Sequence, residues 1–220
     1  MSQSSIILRP PNKPSSNADW KPPPVDWLEG TWHVTHSTLS LWKTKKNVRI
    51  TYKALPPFGG STSSAHRLDD TVSYQWLNSE SYQWLKSIQW LSSDAVKTVH
   101  GIDTSSEGGD TSSWDWRGTG WLFFVTSHWE FLGWGGGDSS EDVSPGEDSS
   151  TSALPAGGDW AVTYFAKTLF TPAGIDVYSR SEAGLSSAKV AEIRAALAEV
   201  DDEDVRKLAG EIFEIARDAP

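Results

Sequence analysis

Alternation of apolar and polar residues, recurring in short blocks between turn-forming segments, is the feature that most constrains this chain. Trp32, Val34 and His36 fall on one face of an extended segment, and His33, Thr35 and Ser37 fall on the other. Val48, Ile50 and Tyr52 alternate in the same way with Arg49, Thr51 and Lys53. A repeat of two belongs to a strand, because successive side chains leave opposite faces of the pleat. Further strands are expected over 71–77, 96–103, 113–117, 120–126, 128–134, 160–167 and 174–180, several of them joined by tight turns. From Ser186 the spacing becomes helical, through Val190, Ile193, Leu197 and Val200 and then Val205, Leu208, Ile212 and Ile215. Asp201 and Asp202 mark a break and a new N-cap between the two runs. Eight or nine antiparallel strands followed by one or two amphipathic helices predict an all-β, up-and-down barrel that the helices cover.

The flanking segments divide the chain. Residues 1–24, rich in Ser, Pro and Asn, read as a disordered arm that ends in the stiff run Lys21-Pro22-Pro23-Pro24. Residues 25–200 form the barrel and its covering helix, and 201–220 form a second helix. Within the barrel, residues 135–159 have too few apolar groups to offset their ordering entropy and read as a mobile acidic loop. Asp69-Asp70 reads as a turn.

Composition removes several functions. There is no Cys, so neither a disulfide framework nor a thiol nucleophile is available. A formal charge of -10 disfavours a polyanion partner, and the basic run Lys43, Lys45, Lys46, Arg49 and Lys53 reads as a solvated strand face, so nucleic-acid binding is not expected. Ile6, Ile7 and Leu8 make an apolar cluster too short for a signal peptide or a membrane span, which points to the cytoplasm. The 13 Trp imply a large aromatic core, an aromatic-lined cavity, or both.

Part of that Trp content is repetitive. Ser-Tyr-Gln-Trp-Leu occurs at 73–77 and again at 81–85, with a third partial copy at Gln89-Trp90-Leu91. A hairpin connection needs only a few residues, so 78–93 reads as an insertion made by tandem duplication. Trp76 then belongs to a strand, whereas Trp84 and Trp90 require a cover, a ligand or a partner.

The run Trp27-Leu28-Glu29-Gly30-Thr31-Trp32 resembles the Gly-x-Trp opening of the first strand in lipocalin-like proteins of the calycin superfamily, including intracellular fungal-type members. A second match is Val177-Tyr178-Ser179-Arg180 followed by Gly184-Leu185-Ser186-Ser187 and a helix. The resemblance implies that Gly30 permits a sharp bend, that Trp32 plugs the closed end of the barrel, and that Arg180 covers Trp32. It also implies a cavity for one small hydrophobic molecule, open at the opposite end.

Strand parity offers Val34, Ile50, Val72, Trp76, Trp121 or Phe123, Trp129 or Phe131, and Tyr164 as ligand-binding residues. Leu39, Leu41 and Trp42 form either a lid over the mouth or an outer packing patch. His36 and His100 are candidate general bases, and Tyr52 and Tyr74 candidate proton donors. No Gly-x-Ser-x-Gly, metal-ligand spacing or cofactor motif is present, so no metal or cofactor is expected. The leading expectation is binding of a secondary-metabolite-like hydrophobic molecule. A cofactor-independent cyclase, isomerase or lyase acting on a polyketide or terpenoid-like substrate in the same cavity is the alternative, and a protein-interaction module is the third. The sequence sets no oligomeric state.

Overall fold

The computed structural model describes residues 6–56, 65–77, 95–106, 109–136, 158–169 and 171–218. The insertion expected at 78–93 lies outside the described residues, as does most of the acidic loop expected at 135–159. After a helical turn α1 (Val25–Leu28) come β1 (Gly30–Ser37), β2 (Lys45–Leu55), β3 (Arg67–Trp76), β4 (Lys97–Ser105), β5 (Ser113–Gly118), β6 (Thr126–Gly135), β7 (Trp160–Phe165) and β8 (Gly174–Ser179). All neighbouring strands are antiparallel, and β1 pairs with both β8 and β2, which closes the sheet into an eight-stranded barrel. Asp69-Asp70, expected in a turn, instead lies inside β3 and pairs with β4.

The expected strand over 120–126 does not form. Residues Gly120–Leu122 make a 3-10 turn, and Gly120 has φ +60, a left-handed conformation that glycine accommodates without strain. Trp121 and Phe123 therefore stand on a loop, 78% and 66% exposed, and not on a barrel face.

The closed end is locked by aromatic packing. Trp32 is buried, its Nε1 donates to Leu28 O at 3.0 Å, and its ring meets Trp27 at 4.6 Å. The Arg180 guanidinium lies 3.7 Å over the Trp32 ring and donates to Thr31 O, Trp27 O and Glu29 O. Gly30 has φ +95, and a Cβ there would come within 3.2 Å of Arg180 Nη1, so the bend into β1 admits little besides glycine.

Two packed layers surround the wall made by β6, β7 and β8. Inside lie Trp114, Trp129, Phe131, Ala161 and Tyr178. Outside, Leu132, Trp160, Val162, Tyr164, Ile175 and Val177 meet Ile193 and Leu197 of α2 (Ser187–Ala198) and Val205 and Ala209 of α3 (Glu203–Glu211). Ser186 and Asp202 cap these helices, accepting from Lys189 N and Val205 N. The second helix stops at Glu211, short of the expected 220. Phe213–Glu214 form β9, which pairs with His36 and Ser37 of β1, and Asn47 N of β2 donates to Ala216 O. The C-terminal segment thus fills the seam where β1 and β2 diverge, with Ile215 buried in the inner core.

The N-terminal arm, expected to be disordered, is seated on β6 over its described part. Arg9 is buried, exchanging a backbone hydrogen bond with Leu132 O and donating from its side chain to Phe131 O and Ser112 O. Its guanidinium pairs with buried Glu130 at 2.6 Å, while Ile6 and Leu8 join the outer core. Polar composition misled because one Arg satisfies several buried carbonyls at once. Arg9→Ala leaves Glu130 buried without its cation and is expected to cost about 3–5 kcal/mol in urea unfolding. The paired change Arg9→Met with Glu130→Leu is expected to recover most of that loss.

Candidate functional site

A cavity of about 420 Å³ opens at the barrel end opposite Trp32. Its walls come from alternate residues of the strands: Ile50 of β2, Val72 of β3, Val99 of β4, Trp116 of β5, Trp129 of β6 and Phe165 of β7. Leu39, Leu41 and Trp42 of the β1–β2 connection overhang it, Trp42 being 9% exposed, so this segment is a lid and not an outer patch. A larger groove of about 1070 Å³ adjoins the mouth across Trp116 and Val125. Arg67, Asp115, Arg117 and His128 line that groove, which makes it a wetted furrow and not an apolar enclosure.

Three buried carboxyls that the sequence reading overlooked give the cavity its polarity. Asp176 lies beneath the lid and accepts from Ser37 Oγ and from Trp42 Nε1, the latter at 3.3 Å. Burial pushes its carboxyl up to about 7, with the Ser37 and Trp42 hydrogen bonds pulling the other way. Asp70 and Asp103 sit deeper, side by side on the paired strands β3 and β4. Trp129 Nε1 donates to Asp103 Oδ1 at 2.8 Å, but among the described residues no N–H or hydroxyl reaches Asp70 Oδ1 or Asp103 Oδ2. Burial raises both carboxyls, and the neighbouring acid raises Asp70 well above the ordinary range.

Tyr52 completes the deep end. Its ring stacks on Trp129 at 5.9 Å, and Trp129 stacks in turn on Trp114 at 6.0 Å. Burial, with Tyr178 and the two acids nearby, keeps the Tyr52 hydroxyl protonated well above its ordinary value. At the mouth, Lys45 Nζ lies 4.7 Å from the Trp76 ring, 5.2 Å from Tyr74 and 5.6 Å from Trp42, and donates to Leu41 O. Burial lowers its pKa, and among the described residues it makes no ion pair.

The structure divides the sequence-derived candidates into three groups. Trp42, Ile50, Tyr52, Val72, Tyr74 and Trp129 line the cavity. Val34 and Phe131 point inward but belong to the packed core, and Trp76, 43% exposed, stands on the rim. His36, His100 and Tyr164 are outside the barrel. In β1 the register shifts between Val34 and His36, and this bulge sends His36 outward towards Glu214, Arg217 and Arg194. His100 is exposed and pairs with Thr71 Oγ1, because Val99, Gly101 and Asp103 take the inner face of β4. Tyr164 packs in the outer layer, near Asp202 and Asp204 of the helical region. The proposed His bases are therefore not in the cavity. The buried acids were legible in the sequence: Asp70, Asp103 and Asp176 stand in mid-strand at the parity of apolar inner neighbours.

Closure of β1 on β8 and β2, a cavity open at one end, and an Arg stacked on the first-strand Trp at the other define a closed up-and-down β-barrel of lipocalin-like fold. No family model matches the sequence. Over 217 residues the chain is 27% identical to a protein of Botryotinia fuckeliana (strain B05.10) named botcinic acid biosynthesis cluster B protein 12, covering 94% of this chain and 82% of that protein. Among solved structures, the siderocalin Ex-FABP, described as functioning through dual ligand specificities, is similar with a TM-score of 0.45 and 12% identity, over 88% of this chain and 95% of that one.

The raised carboxyl of Asp176 has a consequence for stability. The folded protein keeps a proton that the unfolded chain releases near pH 4, so this group's contribution to stability falls as pH rises from about 4 to about 7 and is level above that. Asp176→Asn is expected to flatten the pH dependence in that window, measured as urea-unfolding free energy at pH 5, 6, 7 and 8.

Proposed function

We propose that the barrel binds one small, mostly apolar molecule whose polar group reaches the carboxyls inside. The carrying observation is the enclosed space itself: about 420 Å³, with aromatic and aliphatic walls and a few convergent polar groups at Asp70, Tyr52 and Asp176. That volume and lining suit a single metabolite, and apolar burial supplies affinity while the polar groups select orientation. An unpartnered Asp70 oxygen favours a ligand that donates a hydrogen bond, such as a hydroxyl or enol. The similar protein's name refers to a biosynthesis cluster, which supports a secondary metabolite of polyketide or terpenoid-like character as the ligand class.

One observation favours a second reading, a cofactor-independent isomerase or cyclase. The Asp70–Asp103 pair sets two buried carboxyls side by side, and Asp70 faces the cavity next to the neutral Tyr52 hydroxyl. In such a reaction the pair would take a proton from one position of the substrate and return one at another, with no net change in protons or electrons. Asp70 would be the group in contact, Asp103 its positioning partner, and Tyr52 the donor to a developing oxyanion, with Tyr74 nearer the mouth.

Both readings are open to direct measurement. Quenching of Trp fluorescence by a panel of apolar hydroxylated metabolites is expected to saturate, and Val72→Trp, which fills the cavity, is expected to abolish it. Absence of saturable quenching across the panel would overturn ligand binding. If the barrel catalyses, Asp70→Asn is expected to lower turnover about 100-fold or more while changing affinity far less; unchanged turnover would remove the acid–base role.

A further inference from the structure

All of the large apolar side chains that are exposed among the described residues gather at one end of the barrel. They are Trp76 and Leu77 after β3, Val96 before β4, Trp121, Phe123 and Phe124 between β5 and β6, and Leu169 between β7 and β8. These connections surround the cavity mouth, because every second hairpin of an up-and-down barrel returns to the same end. The exposures are large: 78% for Trp121, 62% for Phe124 and 96% for Leu169. Scattered apolar residues need no explanation, but a collar confined to one rim does.

The charge at this rim is also distinctive. Lys43, Lys45, Lys97, Arg117 and Lys167 stand in these connections or at the strand ends that meet them, and segments 38–44, 76–77, 95–96, 119–125, 166–169 and 171–173 contain no Asp or Glu. The whole chain has a formal charge of -10. The described parts of these connections thus carry cations and no carboxylate, while Glu214 and Asp218 of the C-terminal segment lie to one side, against the start of β2 and the end of β1.

We infer that the open rim docks on a lipid bilayer containing anionic lipids. Trp and Phe on loop tips enter the boundary between headgroups and acyl chains, where an indole keeps its N–H in contact with polar groups. Lys and Arg beside them meet anionic headgroups. A second copy of this chain fits less well, since rim-to-rim contact brings cations against cations. A protein partner fits less well too, since the centres of protein interfaces are depleted in Lys. No helix among the described residues is long and apolar enough to cross a membrane, so the contact is peripheral. If the barrel carries an apolar molecule as proposed above, docking lets that molecule pass between bilayer and cavity without crossing water.

The test needs no ligand and is therefore independent of the binding proposal. The full chain is centrifuged with vesicles of phosphatidylcholine alone and with vesicles containing one quarter phosphatidylserine. The expected result is at least tenfold tighter binding to the anionic vesicles, weakened by raised salt. Two variants, the triple change Trp121→Ser, Phe123→Ser, Phe124→Ser and the double change Lys97→Glu, Lys167→Glu, are each expected to lose at least tenfold in vesicle binding with an unchanged melting temperature. Failure of the protein to bind anionic vesicles, or binding that neither variant weakens, overturns the proposal. A concentration-dependent dimer that the triple change dissolves, without vesicle binding, also overturns it and assigns the rim to a second copy.

Discussion

One extra residue in β1 governs how this barrel is assembled. Up to Val34 the strand pairs with β8 on one side and with β2 on the other, and past the bulge its register with β8 has moved. From there β2 is no longer the partner: His36 and Ser37 face β9, and the C-terminal segment occupies the seam. The bulge also reverses the faces, so Ser37 reaches inward to Asp176 and His36 turns out towards the C-terminal region. A continuous strand would have placed an imidazole over the cavity and left the C-terminal residues without a dock. Chain end, cavity polarity and barrel closure thus depend on the same local irregularity.

The division between what the sequence revealed and what it hid follows physical lines. Strands with one wet face, such as β2, showed their alternation, and its phase correctly put Ile50 and Tyr52 inside. β8 is buried on both faces and β7 nearly so, because α2 and α3 cover the outer side, so apolar residues there report burial without saying which side. That is why Tyr164 was expected inward. At 120–126 an apolar run resembled a strand, but Gly120 in the left-handed region begins a 3-10 turn, and the large side chains point to solvent. Helix starts were easier, since Ser186 and Asp202 cap by chemistry that is local in sequence.

Buried charge is handled in two different ways on the two sides of one wall. Outside β6, Glu130 is ionised: burial opposes this, but hydrogen bonding from His128, the Arg9 charge and Asn12 N together hold its pKa below the ordinary value. Such a pair fastens the N-terminal arm in place. Inside, Asp70 and Asp103 have no cation beside them among the described residues, and burial raises both carboxyls, which favours their neutral forms. Asp103 has one structural return, the hydrogen bond it accepts from the buried Trp129 Nε1; the Asp70 Oδ1 oxygen has none among the described residues.

The two barrel ends then divide stability from access. At the closed end Trp27, Trp32, Gly30 and Arg180 interlock within one helical turn and one strand start, leaving no room for a ligand and little for substitution. At the open end the lid meets Asp176 through Trp42 Nε1 at 3.3 Å and is tied to β8 by Thr38, and Lys45 sits against aromatic rings with no ion pair among the described residues. The rigid end can therefore carry the stability that lets the other end keep exposed aromatic residues around an entrance.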